Sequence, residues 1–77
     1  MRVVLNVTGH VCEYFPGKAS RVEVDLPGPM SLADILRFIG VSPELVMYSF
    51  SKGTRHGKDY VPGDGEEILL IAPPAGG

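Results

Sequence analysis

Apolar and polar residues alternate along two stretches in the first third of the chain. In residues 2–8 an apolar side chain recurs at nearly every second position, which is the period of a strand with one buried face. The same alternation returns in residues 21–26. Residues 9–20 are rich in glycine, proline and polar residues, so they are predicted to form a loop. The pattern therefore predicts an antiparallel pair of strands joined by a long loop.

A helix is predicted after the second strand, which ends at the prolines of residues 27–29. Ser31 suits the N-cap position, and Asp34 stands three residues later, as in a capping box. Gly40 is placed to end the helix. The apolar residues between these ends follow helical spacing, and they are Leu32, Ile35, Leu36 and Ile39.

The second half of the chain predicts more extended structure. A short turn at residues 42–44 precedes an extended segment at residues 46–50, and Lys52-Gly53 is predicted to reverse the chain. Residues 68–72 are apolar without interruption, whereas an edge strand with one solvated face would alternate. We therefore expect this last strand to lie in the middle of a sheet, or to be covered by a partner.

The order of these elements predicts an α+β fold. A hairpin, one crossover helix and a doubly apolar last strand fit together if the last strand pairs in parallel with the first and the helix packs across one face. This is the β-grasp, with a mixed sheet of four to five strands. We expect one domain over residues 1–72 and a flexible tail over residues 73–77, because the residues after Pro73-Pro74 have no side chain that could anchor them.

Composition narrows the classes of function. A chain of 77 residues, 44% of them apolar, can build one small core, and a deep substrate pocket would weaken it. The net charge of -2 and the pI near 5.5 argue against partners such as nucleic acid or an anionic membrane. With one cysteine, Cys12, and no signal-peptide pattern, we expect a cytoplasmic protein that is not itself an enzyme.

Three other candidate sites are weak. His10, Cys12 and His56 lack the number and spacing of a metal site, so no metal is predicted. Cys12 has no evident base beyond His10 that would make it a nucleophile. The glycines of residues 53–58 do not have phosphate-loop spacing. The same segment contains a basic cluster that is either a solvated loop or a docking patch for an acidic partner, namely Lys52, Arg55, His56 and Lys58.

The C-terminal residues carry the strongest chemical signal. Two prolines stiffen the base of the tail, and Ala75, Gly76 and Gly77 are slim enough to enter a narrow active site on another protein. A carboxylate is a poor acyl donor until it is activated, for example as an anhydride with AMP. Glycine leaves the carbonyl carbon open to attack and lets one tail adopt two bound conformations. The predicted reaction centre is therefore the carboxylate of Gly77, with Gly76 as its slim support.

The chain resembles the ThiS/MoaD family of sulfur carriers, which are ubiquitin-like in fold. The resemblance covers essentially the whole length and is carried by residues 24–28, by residues 32–40, and above all by Asp-Gly-Glu-Glu-Ile at residues 64–68 leading to the diglycine end. Ser51-Lys52-Gly53 replaces the usual Asn-Gly turn of the family, and Gly63 is an extra residue before the acidic turn. These departures leave the pathway within the family open.

The resemblance implies what the tail does. An E1-like adenylyltransferase would consume ATP to adenylate Gly77, and a persulfide-bearing donor would convert it to a thiocarboxylate. An acceptor synthase subunit would then use the sulfur, and this chain would be the small subunit of a molybdopterin-synthase-like complex or a free carrier. The favoured product is the molybdenum or tungsten cofactor, with thiamine next, since the length, the first loop and the Pro-Pro tail look MoaD-like. No cofactor is expected to be bound.

The resemblance also implies a docking face. If Ile68 and Leu70 face the helix, alternation places Leu69 and Ile71 on the other side of the sheet. Either loops or self-association cover them, or they form an apolar patch for the activating enzyme. The expected partner-binding residues are Tyr48, Phe50, Leu69 and Ile71 on the sheet and Pro73, Pro74 and Ala75 in the tail.

Two other functions fit the same residues. In a ubiquitin-like modifier, a lysine amine instead of sulfur attacks the activated Gly77, and an isopeptide bond forms. In a passive binding module of the same fold, the glycine end is only frayed. The sequence alone leaves both open.

Overall fold

The computed structural model describes residues 1–73, with His10 described by its backbone alone. This part of the chain contains five strands, one α-helix and three short 3₁₀ segments. The strands are β1 (Arg2–Val7), β2 (Arg21–Asp25), β3 (Tyr48–Ser51), β4 (Thr54–His56) and β5 (Glu67–Ile71); the helix is α1 (Leu32–Phe38); the 3₁₀ segments are Gly9–Tyr14, Pro16–Lys18 and Pro43–Leu45.

The strands form one mixed sheet in the order β2-β1-β5-β3-β4. The last strand, β5, lies at the centre and runs parallel to β1, with Leu5 beside Ile68 and Val7 beside Leu70. Its other neighbour, β3, is antiparallel to it, and the β1–β2 and β3–β4 pairs are antiparallel as well. The predicted hairpin, the central last strand and its parallel pairing with the first strand are confirmed. The topology is that of the β-grasp.

Helix α1 covers one face of the sheet, which we call the inner face. Leu32, Ile35 and Leu36 of the helix are at most 1% exposed. Burying one such side chain fully stabilises the fold by about 1.5–3 kcal/mol, so this layer is the main source of stability. The side chains that meet the helix layer from three strands are Val3, Leu5, Val7, Val24, Ile68 and Leu70.

Both ends of α1 follow the sequence signals. The Ser31 hydroxyl oxygen accepts a hydrogen bond from the backbone N–H of Asp34 at 3.2 Å, which confirms the predicted N-cap. The Asp34 carboxylate pairs with Arg37 at 3.0 Å. Gly40 follows the helix with a φ of 86°, a left-handed conformation that favours glycine. Within residues 1–73 no helix has the length and apolar content that a membrane crossing takes.

The segment between β1 and β2 differs from the predicted loop. It contains the 3₁₀ segments Gly9–Tyr14 and Pro16–Lys18, and these place Val11 and Phe15 in the core at 3% exposure. The two apolar side chains are four residues apart; between them Glu13 and Tyr14 are exposed, and Cys12 is partly buried. The glycine and proline content concealed this packing, because it indicates turns without showing whether a turn is folded onto the core.

Strand β4 is a second difference. Its three residues, Thr54–His56, are polar, and two of them, Arg55 and His56, belong to the basic cluster for which a solvated loop was one interpretation. Their extended conformation comes from pairing with β3, where Ser51 lies opposite Thr54 and Phe50 opposite Arg55. A short polar edge strand has no apolar alternation of its own, so the pattern along the chain did not reveal it.

The predicted reversal at Lys52-Gly53 is the two-residue turn of the β3–β4 hairpin. Both residues have positive φ, 54° for Lys52 and 74° for Gly53. Two consecutive positive φ values are typical of a type I′ turn, whose twist matches that of the strands on either side. The turn therefore sets the register that places Arg55 opposite Phe50.

We expect Gly53→Ala to lower the free energy of unfolding by about 1–2 kcal/mol, because a Cβ is disfavoured in the left-handed region. Gly28→Ala is the matched control. Gly28 lacks a positive φ, and a Cβ there would meet nothing within 4 Å. Urea unfolding followed by circular dichroism measures both variants, and an equal effect of the two would contradict the role of the turn.

Candidate functional site

The described structure ends at the base of the predicted tail. Strand β5 ends at Ile71, Ala72 packs partly against the core, and Pro73 is exposed. The backbone N–H of Met47 donates to the carbonyl of Ile71 at 2.8 Å and holds the end of the strand in the sheet. The described chain therefore leaves the sheet from the end of a central strand. The remaining tail residues predicted to be functional lie outside the described residues, and they are Pro74, Ala75, Gly76 and Gly77.

Four apolar side chains come together on the face of the sheet opposite α1, which we call the outer face. Across the β3–β5 pair, Tyr48 lies beside Ile71 and Phe50 beside Leu69. Leu69 is 36% exposed and Phe50 37% exposed, whereas the alternate residues of β5 are buried. The rings of Tyr48 and Phe50 meet edge to face with centroids 5.7 Å apart. The structure thus brings together the four predicted sheet residues, and we name them the outer apolar patch.

The other half of the outer face carries charged side chains that pair with one another around Val4, which is 9% exposed. Arg2 lies 2.9 Å from Asp25, and Arg21 lies 2.9 Å from Glu67, which also accepts a hydrogen bond from Asn6 at 2.8 Å. The hydrogen bond from Asn6 and the charge of Arg21 hold the pKa of Glu67 below its usual range. Exposed pairs of this kind contribute little stability. Their effect is to make this half of the face hydrophilic, so the apolar patch has a distinct border along β5.

The side chains of the basic cluster have separate contacts. Arg55 lies on the outer face with its guanidinium carbon 4.2 Å from the centre of the Tyr48 ring. The ring of His56 stacks on Tyr60 with centroids 3.6 Å apart. The Lys58 ammonium donates to the carbonyl of Pro43 at 3.1 Å. The structure places Arg55 and His56 in strand β4 and Lys58 in the loop that follows, so only part of the cluster is a loop.

Glu66, just before β5, is buried to 6% exposure and was missed as a key residue by sequence reasoning. Its carboxylate accepts hydrogen bonds from the Ser51 hydroxyl, from the Tyr60 hydroxyl at 2.6 Å and from the backbone N–H of Gly63 at 2.9 Å. A signal was present in the sequence: Glu66 has the same parity as Ile68 and Leu70, so alternation points it toward the core.

Burial of the Glu66 carboxylate by itself raises its pKa. The hydrogen bonds from Ser51, Tyr60 and Gly63, together with the charge of Lys52, outweigh burial and lower the pKa from 4.5 to about 2. The hydrogen bond that Tyr60 donates to Glu66 in turn raises the pKa of the phenol. An ionised carboxylate with three donors therefore ties the end of β3 and the 57–65 loop to the start of β5.

Cys12 is partly buried against the core and belongs to the first 3₁₀ segment. Among the side chains that the structure describes, no three histidine, cysteine or acidic groups lie close enough to hold a metal ion.

Comparisons with known proteins support the fold. Neither a protein-family model nor a curated protein sequence matches the chain. Its fold is similar to the crystal structure of SAMP1 from Haloferax volcanii, with a TM-score of 0.70 and 19% identity over 100% of both chains. It is also similar to the solution structure of Urm1 from Trypanosoma brucei, with a TM-score of 0.66 and 18% identity over 99% of this chain and 95% of that one. The ubiquitin-like fold that the family resemblance implied is confirmed.

The Glu66 network predicts a pH-dependent loss of stability. Because the folded pKa is depressed, the stabilisation is complete above the ordinary pKa of 4.5 and is lost as the pH falls toward 2. Glu66→Gln should lower the free energy of unfolding at pH 7 by on the order of 1–3 kcal/mol and flatten its decline across this window. Urea unfolding at several pH values tests this, with the exposed Glu13→Gln as the control. Parallel pH profiles for wild type and Glu66→Gln would contradict the prediction.

Proposed function

We propose that this protein is a sulfur carrier whose reactive group is the carboxylate of Gly77. The proposal is supported chiefly by one observation: strand β5 contributes Leu69 and Ile71 to the outer apolar patch and leads, two residues later, to the exposed base of the tail at Pro73. A partner that binds the patch thereby also controls where the tail enters its active site. The fold, the slim tail and the resemblance to ThiS/MoaD carriers all agree with this arrangement.

The chemistry proceeds on the partners, with this chain as their co-substrate. An E1-like adenylyltransferase joins the Gly77 carboxylate to AMP and releases pyrophosphate from ATP. The terminal sulfur of a donor persulfide attacks the acyl carbon, and AMP leaves with the bonding electrons. A thiol then cleaves the sulfur–sulfur bond, leaving a thiocarboxylate on Gly77 and a disulfide on the donor.

The favoured acceptor is the pterin precursor of the molybdenum or tungsten cofactor, and the thiazole of thiamine is the next candidate. The preference comes from the chain length, the long segment between β1 and β2, and the Pro73-Pro74 pair. The segment between β1 and β2 packs onto the core through Val11 and Phe15, so it forms part of the folded surface of the domain. An acceptor synthase subunit would receive the tail in a binary complex.

A ubiquitin-like modifier would use the same activation, the same patch and the same tail. It differs only in the nucleophile, which is a lysine amine. The two functions are separated by their products, since only a modifier gives high-mass conjugates joined through Gly77 in cells.

Intact mass spectrometry of protein purified without a C-terminal tag tests the carrier directly. Replacing one carboxylate oxygen by sulfur adds about 16 Da, and the shift must map to the C-terminal peptide because oxidation of methionine or cysteine adds the same nominal mass. Deleting Gly77 should abolish both the shift and sulfur transfer. Full transfer by the deletion variant would rule out every function based on the tail and favour a passive binding module.

The outer apolar patch is tested by the double variant Leu69→Ser and Ile71→Ser. We expect binding to the E1-like enzyme to weaken by about 30-fold, since truncating central apolar contacts costs about 2 kcal/mol at an interface. Val61→Ser is the control, because Val61 is 50% exposed and lies outside the patch. Calorimetry measures the affinity and circular dichroism the fold. Unchanged affinity of a folded double variant would exclude the patch as the docking face.

A further inference from the structure

The arginines on the outer face are not equivalent. Arg2 and Arg21, on the polar half, form ion pairs with carboxylates of neighbouring strands. Arg55, at the apolar half, forms no ion pair with any residue in 1–73. On the hydrophilic half of the outer face the charged side chains therefore pair with one another. Beside the outer apolar patch, Arg55 has no such partner among residues 1–73.

Arg55 is held in place by the patch itself. It lies opposite Phe50 in the β3–β4 register, and its guanidinium carbon is 4.2 Å from the centre of the Tyr48 ring. The Tyr48 ring is in turn held edge to face by Phe50. A cation over the face of an aromatic ring is attracted by the ring, and an arginine carries a planar fork of N–H groups that matches the two oxygens of a carboxylate.

The nearby lysines do not share this position. Lys52 belongs to the β3–β4 turn, and the Lys58 ammonium donates to the Pro43 carbonyl. Arg55 is thus the cation that a partner meets when it covers the outer apolar patch. Covering an arginine with apolar surface alone is costly, whereas a carboxylate in the covering surface compensates for the lost water.

We propose that the partner surface that docks on the outer apolar patch is apolar with one carboxylate placed to pair with Arg55, and that Tyr48 positions the guanidinium for it. The inference rests on the proposed function, in which this partner is the E1-like adenylating enzyme. The pairing would let the outer face discriminate between partner proteins, because a partner with an equally apolar surface but no carboxylate would leave Arg55 desolvated and unpaired.

The experiment is ATP–pyrophosphate exchange by the E1-like enzyme of the same organism, with this chain as the varied substrate. Arg55→Ala should raise the KM for the chain by at least about tenfold and leave kcat nearly unchanged, because the residue acts in docking and not in adenylation. Lys52→Ala removes the same charge from the adjacent β3–β4 turn, outside the patch, and should change KM by less than about twofold. Arg55→Lys should fall between, since a lysine keeps the charge without the fork of N–H groups.

The positioning role of Tyr48 is tested by a double-mutant cycle. Tyr48→Leu keeps an apolar side chain in the patch but removes the ring beneath the guanidinium. It should raise KM severalfold in the wild-type chain and distinctly less in the Arg55→Ala background. Equal effects in both backgrounds would overturn the role of Tyr48 as a positioning residue.

The outcomes separate this inference from the proposed function. Exchange with the wild-type chain, together with equal KM values for Arg55→Ala and Lys52→Ala, would overturn the inference and leave the carrier function standing. Absence of any exchange with the wild-type chain would overturn the carrier function and the inference together. A dimer in sedimentation that Arg55→Ala dissociates, with no change in KM, would show that a second copy of this chain supplies the carboxylate, contrary to the proposal.

Discussion

The parallel pairing of β1 with β5 is the constraint on which the rest of the structure depends. It joins the two ends of the described chain, with Leu5 beside Ile68 and Val7 beside Leu70, and closing so long a loop is entropically costly. The burial of these side chains beneath α1 offsets that cost. With β3 paired on its other side, β5 is bonded along both edges and has one buried and one open face. Every feature of the candidate site follows from that position.

The residues at the two ends of β5 make different kinds of contact. At its start, Glu66 is buried and ionised, and it gathers hydrogen bonds from β3 and from the loop before β5. At its other end, Met47 holds the carbonyl of Ile71, and the chain leaves the sheet at an exposed Pro73. A buried anion therefore secures the start of the strand, and a backbone hydrogen bond secures the end from which the chain leaves the sheet.

The outer face divides into a polar half and an apolar half. Its polar half is covered by ion pairs that neutralise one another, and these keep most of the face hydrophilic. Its apolar half is limited to two residues from each of β3 and β5. Arg55 adjoins this half, with its guanidinium carbon 4.2 Å from the centre of the Tyr48 ring, so a cation lies beside the apolar side chains. Such a face suits the partner that we propose, which is apolar and carries one carboxylate.

The sequence by itself determined the elements that local pattern controls: the first two strands, the helix between Ser31 and Gly40, the Lys52-Gly53 reversal and the central place of the last strand. It also pointed to the residues of the apolar patch, because alternation on β5 allows no other face for Leu69. Only the tertiary structure decided how residues 9–18 fold onto the core, that polar residues 54–56 form a strand, and which groups surround Glu66 and Arg55. These features depend on contacts between residues distant in the chain, and such contacts leave no local periodicity to detect.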